Sequence, residues 1–230
     1  AKDQLYFLFE LSQEQLSETL FPLGDLTKPE VREIAARAGL RVAEKAESFE
    51  ICFVPEKDGY ASVVATEAAR FASEDGAEAS NFLRAASSRE VGGEIVDLTG
   101  RVVGHHDAYY NFTIGQRRGL DIGGFPDRTY VVDIDPITRR VVIGPAEALE
   151  KSELVAERVH WISGVVPTAA TALSAKVRSR QEDVAATVEM VDSSTARVAF
   201  GAPLRAIAPG QAIVFYDGEV CLGGVLILKN

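Results

Sequence analysis

Pro209-Gly210-Gln211-Ala212-Ile213-Val214-Phe215-Tyr216-Asp217-Gly218-Glu219-Val220-Cys221-Leu222-Gly223-Gly224 is the stretch that decides the architecture of the C-terminal half. Pro209-Gly210 turns the chain into an apolar strand at Ala212–Tyr216, and Asp217-Gly218 turns it back into a second strand at Val220–Leu228. Working outward, four further strands fit Leu154–Trp161, Ala172–Arg180, Val184–Val191 and Ala196–Phe200. Short strands separated by Gly, Pro and Asp turns predict a small antiparallel β-barrel.

The period of two starts earlier, at Glu90. Glu94–Asp97 and Arg101–Gly104 form one predicted hairpin around Thr99-Gly100, and Thr129–Asp133 and Arg139–Ile143 a second around Asp135-Pro136. The N-terminal stretch reads differently. Ser12 with Gln15 makes a capping-box pattern, and Thr27-Lys28-Pro29-Glu30 opens a helix with Val31, Ile34, Ala35 and Ala38 on one face, stopped at Gly39. Glu50–Val54 is a short strand candidate, and 60–87 reads as two Ala-rich helices around Asp75-Gly76. The expected class is α+β: a helical segment, a small β-rich central domain and a C-terminal barrel, divided at 1–58, 59–150 and 151–230.

With 230 residues, 47% hydrophobic and 25% charged, the composition is that of a soluble globular protein. No signal peptide and no apolar run near 18 residues stands in the sequence, so no membrane partner is expected, and unpaired cysteines fit a reducing cytoplasm. The net charge of −10 is uneven: residues 1–100 carry 10 Lys+Arg against 19 Asp+Glu, whereas 101–230 carry 14 against 15. Basic clusters at Arg117-Arg118, Arg139-Arg140 and Lys176-Val177-Arg178-Ser179-Arg180 therefore offer a local cationic face for phosphates, because charges beyond about 10 Å are largely screened.

Several chemistries lack a pattern. Gly115-Gln116-Arg117-Arg118-Gly119 and Gly123-Gly124 match neither a Walker loop nor a dinucleotide fingerprint and read as turns. His105 and His106 are neighbours on a strand and point to opposite faces, so no metal site is expected there. No Ser/His/Asp spacing supports a hydrolase. Of the two cysteines, Cys221 lies mid-strand and reads as structural, and Cys52, in Ser48-Phe49-Glu50-Ile51-Cys52-Phe53-Val54-Pro55, reads either as a buried small hydrophobe or as an accessible sulfur nucleophile near Lys45.

A set of ordered stretches resembles the bacterial tRNA-specific 2-thiouridylases. They are Lys2-Asp3-Gln4 with Tyr6-Phe7-Leu8, Leu11–Leu16, Phe21–Gly24, Lys28–Arg32, Ser48–Phe53, Thr113–Leu120, Tyr130–Val132, Pro209–Ala212, Phe215–Gly218 and Cys221–Gly224. The resemblance implies that Cys52 carries sulfur as a persulfide, received from an upstream sulfur-carrier protein, and delivers it to a wobble uridine adenylated by ATP. It implies tRNA contacts at Lys2, Asp3 and Gln4, at Arg178 and Ser179, and at Gln211. The family has tyrosine where Ser179 stands. Its SGGVDSS-type phosphate loop and second catalytic cysteine do not occur in this sequence, so ATP with its magnesium is expected to act outside these residues. The resemblance thus implies the C-terminal portion of a cytoplasmic, monomeric tRNA-modifying enzyme, inactive by itself. The alternative is a non-catalytic RNA-binding module.

Overall fold

The computed structural model describes residues 4–45, 63, 64, 66, 92–120, 122, 123 and 128–227. Cys52, Lys2 and Asp3, the Glu50–Val54 strand candidate and most of the 60–87 helical stretch lie outside the described residues. No helix among the described residues is long and apolar enough to cross a membrane.

Two short helices come first. Helix α1 (Gln13–Ser17) is capped as predicted: Gln15 N–H donates to Ser12 Oγ, and Ser12 N–H donates to Gln15 Oε1. Helix α2 (Lys28–Arg37) starts on Thr27, whose N–H and hydroxyl both donate to Glu30 Oε2 at 2.6 Å. These bonds hold the Glu30 carboxyl below its ordinary pKa, the hydroxyl bond contributing most.

The chain then builds two sheets. The first contains β1 (Gly93–Asp97), β2 (Val102–His106), β3 (Tyr130–Asp135) and β4 (Arg140–Gly144), in the order β2-β1-β4-β3. Both hairpins predicted from period-two patterning are present, and they join through a parallel β1–β4 pairing. Ile95, Val131, Val141 and Ile143 fill their core with Tyr109 and Leu120. Asp97 closes the β1–β2 turn by accepting from the N–H and hydroxyl of Thr99 and from the N–H of Arg101.

The second sheet contains β5 (Glu150–Ala156), β6 (His160–Trp161), β7 (Thr171–Lys176), β8 (Val184–Met190), β9 (Ala196–Arg205), β10 (Ala212–Asp217) and β11 (Val220–Leu226). Their order is β5-β9-β8-β7-β10-β11-β6. The chain-consecutive strands β5 and β6 therefore lie on opposite edges, joined only by residues 157–159. Four Cα steps span at most about 14 Å, whereas the edges of a flat seven-stranded sheet would stand roughly 29 Å apart. The sheet must curl, and it forms an antiparallel half-barrel. Its inner layer includes Trp161 stacked on Phe215 (centroids 5.5 Å apart, planes at 23°), with Val177, Val188, Val198 and Ile213.

Three strand limits differ from expectation. Leu154–Trp161 is two strands, because Arg158 turns the corner with φ 61°. The strand expected to reach Arg180 stops at Lys176, and Gln181 N–H bonds back to Arg178 O, so Arg178 and Ser179 sit on a turn. Strand β9 runs on past Phe200 to Arg205, because Pro203 falls in a bulge: Lys151 faces Leu204 whereas Glu153 faces Ala199.

The N-terminal segment covers the outer face of β10. Tyr6 and Phe9 pack on Ala212, Val214 and Tyr216, the Tyr6 hydroxyl donates to Ala212 O at 2.7 Å, and His160 Nε2–H donates to Leu11 O at 3.2 Å. Gly224 makes room for this segment. A Cβ there would stand 2.7 Å from Phe9 Cδ2 and 2.5 Å from Ile213 O. Gly224→Ala is expected to lower the unfolding free energy by about 1–3 kcal/mol; an unchanged urea midpoint would mean that Phe9 is not seated there.

A second prediction concerns His106. Its Nε2–H donates to Arg139 O at 3.0 Å, and its buried Nδ1 has no partner among the described residues. Burial pushes the imidazole pKa below its ordinary 6.5, and the Arg139 carbonyl only partly opposes this. The unfolded chain takes up the proton first, so the His106 contribution is full above the unfolded pKa and declines as pH falls below it. The melting temperature should drop between about pH 7 and 5.5, and His106→Gln should flatten that drop. An equal drop in the variant would rule out His106 as its source.

Candidate nucleic-acid interface

The last turn of β9 and the approach to β10 build one wall of a cleft. Ala206 adopts φ 55°, donates its N–H to Leu149 O, and accepts from Arg178 Nη2 at 3.0 Å. Downstream, Gln211 braces its own turn. Its N–H donates to Ala208 O, and its Oε1 accepts from Ala208 N–H at 3.2 Å, while its carbonyl accepts from Ile227 N–H. Among the described residues the Nε2 donors of Gln211 meet no acceptor.

The opposite wall is the Thr113–Gln116 turn with Tyr130. Gln116 Oε1 accepts from Thr113 N–H at 2.9 Å, and Gln116 Nε2 donates to Arg118 O at 3.0 Å. Gly115 N–H donates to Val131 O, and Val131 N–H to Gln116 O, which ties the turn to β3. Gly115 has φ 87°, and a Cβ there would stand 2.9 Å from Ala206 Cβ. The two walls meet at this contact. Between them lies a cleft of about 590 Å³ lined by Tyr130, Leu149, Arg178, Arg205 and Gln211.

The cleft is cationic, but not freely so. Arg205 Nε and Nη2 both donate to Glu150 Oε1, at 2.9 and 2.6 Å, across the β5–β9 pairing. That carboxylate, with Glu147 beside it, holds the guanidinium pKa above its ordinary value. The field of Arg178 reaches Tyr6, where burial raises the phenol pKa and the Ala212 bond and Arg178 partly lower it.

Of the residues singled out from sequence, Arg178 and Gln211 share the cleft. Ser179 sits half-buried on the same turn as Arg178 without lining it. Gln4 is exposed at the start of the N-terminal segment, its carbonyl accepting from Phe7 N–H at 2.9 Å. Several members of the basic clusters are engaged elsewhere. Val177 is buried between Lys176, which lies 5.1 Å over the Tyr216 ring, and Arg178; Arg140 pairs with Glu94 at 3.0 Å; Arg117 and Arg118 are exposed. Sequence reasoning passed over Arg205 and Glu150, which lie beyond the expected strand limits and match no motif. Among the described residues, no group of three or more His, Cys, Asp or Glu side chains could hold a metal ion.

Comparison with known proteins bears on this geometry. Residues 1–56 match a model described as the tRNA methyl transferase HUP domain, 80–145 its PRC-barrel domain, and 151–227 an aminomethyltransferase beta-barrel domain. The chain is 45% identical, over 97% of its length, to the tRNA-specific 2-thiouridylase MnmA of Geobacter metallireducens. It is 43% identical over 99% to that of Chlorobaculum tepidum, and 42% identical over 98% to that of Bacillus cytotoxicus. The chain belongs to the tRNA-specific 2-thiouridylase family. It spans about half the length of these relatives, covering 55%, 58% and 56% of them respectively. Within this family member the cleft joins the stretch matched by the PRC-barrel model to the stretch matched by the beta-barrel model.

Proposed function

We propose that this chain is the sulfur-relay and tRNA-gripping part of a tRNA-uridine 2-sulfurtransferase. The observation that carries the reading is identity above 40% across nearly the whole chain to proteins named for that activity. The cleft supports it: Arg178 offers a planar fork of donors suited to a phosphate, and Gln211 keeps amide donors for a sugar or base edge. The family-model matches support a division into a piece of the catalytic domain at 1–58, a central domain at 59–150 and a tRNA-contacting barrel at 151–230. Lys2, Asp3 and Gln4 extend the RNA contact toward the reacting base, and Ser179 adds a hydroxyl beside Arg178.

In this reading Cys52 accepts a sulfane sulfur from a carrier protein and holds it as a persulfide. ATP, with magnesium, activates the uridine C2 oxygen as an adenylate at a site outside these residues. The terminal sulfur attacks C2 and AMP leaves. A second cysteine, also outside these residues, then attacks Cys52 Sγ. The resulting disulfide takes both cysteines, the new sulfur stays on C2, and a thiol reductant resets the pair. Covalent relay divides one difficult substitution into easier steps. The cytoplasm is its setting, and a monomer suffices.

A separable RNA-binding role has one observation in its favour: the described lining of the cleft comes from residues 113–211, all in the stretches after the N-terminal segment. Two experiments distinguish the roles. Incubated with a persulfide-loaded carrier protein, the chain should gain one sulfur by mass spectrometry, and Cys52→Ser should gain none; equal labelling of both would refute the relay. In filter binding with an unmodified tRNA transcript, Arg178→Ala should weaken affinity several-fold and reduce the slope of log K against log salt by about 1. Affinity and slope unchanged in Arg178→Ala would remove the cleft from the RNA-binding surface.

A further inference from the structure

We propose that Arg205 is a further RNA-contacting residue of the cleft, held in reserve by Glu150, which competes with RNA phosphate for the same guanidinium. The proposal rests on the reading that the cleft receives RNA. Arg205 and Glu150 are direct cross-strand partners where β5 and β9 border the cleft, and Arg205 lines it with Arg178 and Gln211. The side chains are 60% and 33% exposed, so solvent screening leaves the pair little weight in folding. A clasp that weak can be exchanged without unfolding the sheet edge.

The geometry of the two arginines differs in a useful way. Arg178 gives one Nη2 donor to a neutral carbonyl, and its positive charge stays uncompensated by that contact. Arg205 instead spends Nε and Nη2 on a single carboxylate oxygen, Oε1, so its charge is cancelled at the cleft rim. Those two donors form the edge that grips a phosphate bidentately. Gln116, by contrast, has its amide oxygen and one of its amide N–H donors engaged by its own turn. Phosphate approaching Arg178 thus meets a second guanidinium already oriented, with a carboxylate to displace. Glu150 weakens binding and favours release.

The test is a double-mutant cycle in tRNA filter binding at several salt concentrations. Glu150→Gln should tighten binding by about three- to tenfold and steepen the salt slope by about one phosphate contact. Arg205→Ala should weaken binding, and Glu150→Gln in the Arg205→Ala background should then have little effect. An equal gain in both backgrounds would mean that Glu150 acts through general repulsion, and would overturn the reservation of Arg205. No gain from Glu150→Gln, with Arg178→Ala still weakening binding, would overturn it too while leaving the proposed function intact. Absence of any tRNA binding by the unaltered chain would overturn both. Arg205→Lys keeps the charge without the fork and should recover less than half of the loss; melting temperatures of all variants report whether the sheet edge stays folded.

Discussion

Strand β10 has no face turned to water, and the described structure is organised around that constraint. Ile213 and Phe215 enter the inner layer of the half-barrel, while Ala212, Val214 and Tyr216 point the other way and are also buried. A strand of this kind needs cover on both sides, which single-layer antiparallel sheets do not supply. The curl of β5–β11 covers one side, and Tyr6 and Phe9 cover the other. Burying each large apolar side chain contributes about 1.5–3 kcal/mol. The Tyr6 hydroxyl adds direction, since its bond to Ala212 O joins residues 206 positions apart in the sequence. The N-terminal segment is therefore an integral layer of the barrel.

The curl also makes the cleft. Because β5 and β6 are joined by so short a link, the sheet rolls up, and the connections at its rim converge. The turn after β7 brings Arg178 under Ala206, and Ala206 meets Gly115 from the central sheet. Only a glycine accepts both the left-handed backbone and the near contact at that point. A cationic pair thus comes to stand beside the turn that precedes β3. The same Arg178 is felt electrostatically at Tyr6, so the cleft and the N-terminal layer share one neighbourhood.

The sequence made this architecture legible where its signals are local. Ser12 with Gln15 and Thr27 with Glu30 mark helix starts, and Thr99-Gly100 and Pro209-Gly210 mark turns, because capping and turn chemistry act within four residues. The fully apolar run Ala212–Tyr216 identified an interior strand of the last sheet. Strand ends were less legible. Arg158 reverses the chain with a residue that carries no turn preference, and Pro203, ordinarily a strand breaker, is tolerated in a bulge. The consequence for the site was direct. With β7 extended to Arg180, Arg178 and Ser179 would alternate across a sheet; on a turn, Arg178 reaches a carbonyl 28 positions away. Arg205 and Glu150 carry no sequence signal, since their relation exists only through the β5–β9 register.

Charge patterning has a similar limit. Lys176-Val177-Arg178-Ser179-Arg180 looks like one basic patch, yet its first two residues are turned to other work, Lys176 over an aromatic ring and Val177 in the core. What remains at the cleft is a small number of guanidinium groups, one against a neutral carbonyl and one against a carboxylate. In a chain of net charge −10, this arrangement matters more than the count of basic residues. Within a screening length of about 10 Å, the local sum is set by which carboxylates lie beside which arginines. Glu150 and Glu147 are the acidic groups that act on Arg205. The cationic strength of the cleft is therefore governed by the fold through strand register, and a single cross-strand carboxylate determines whether the rim presents one free positive charge or two.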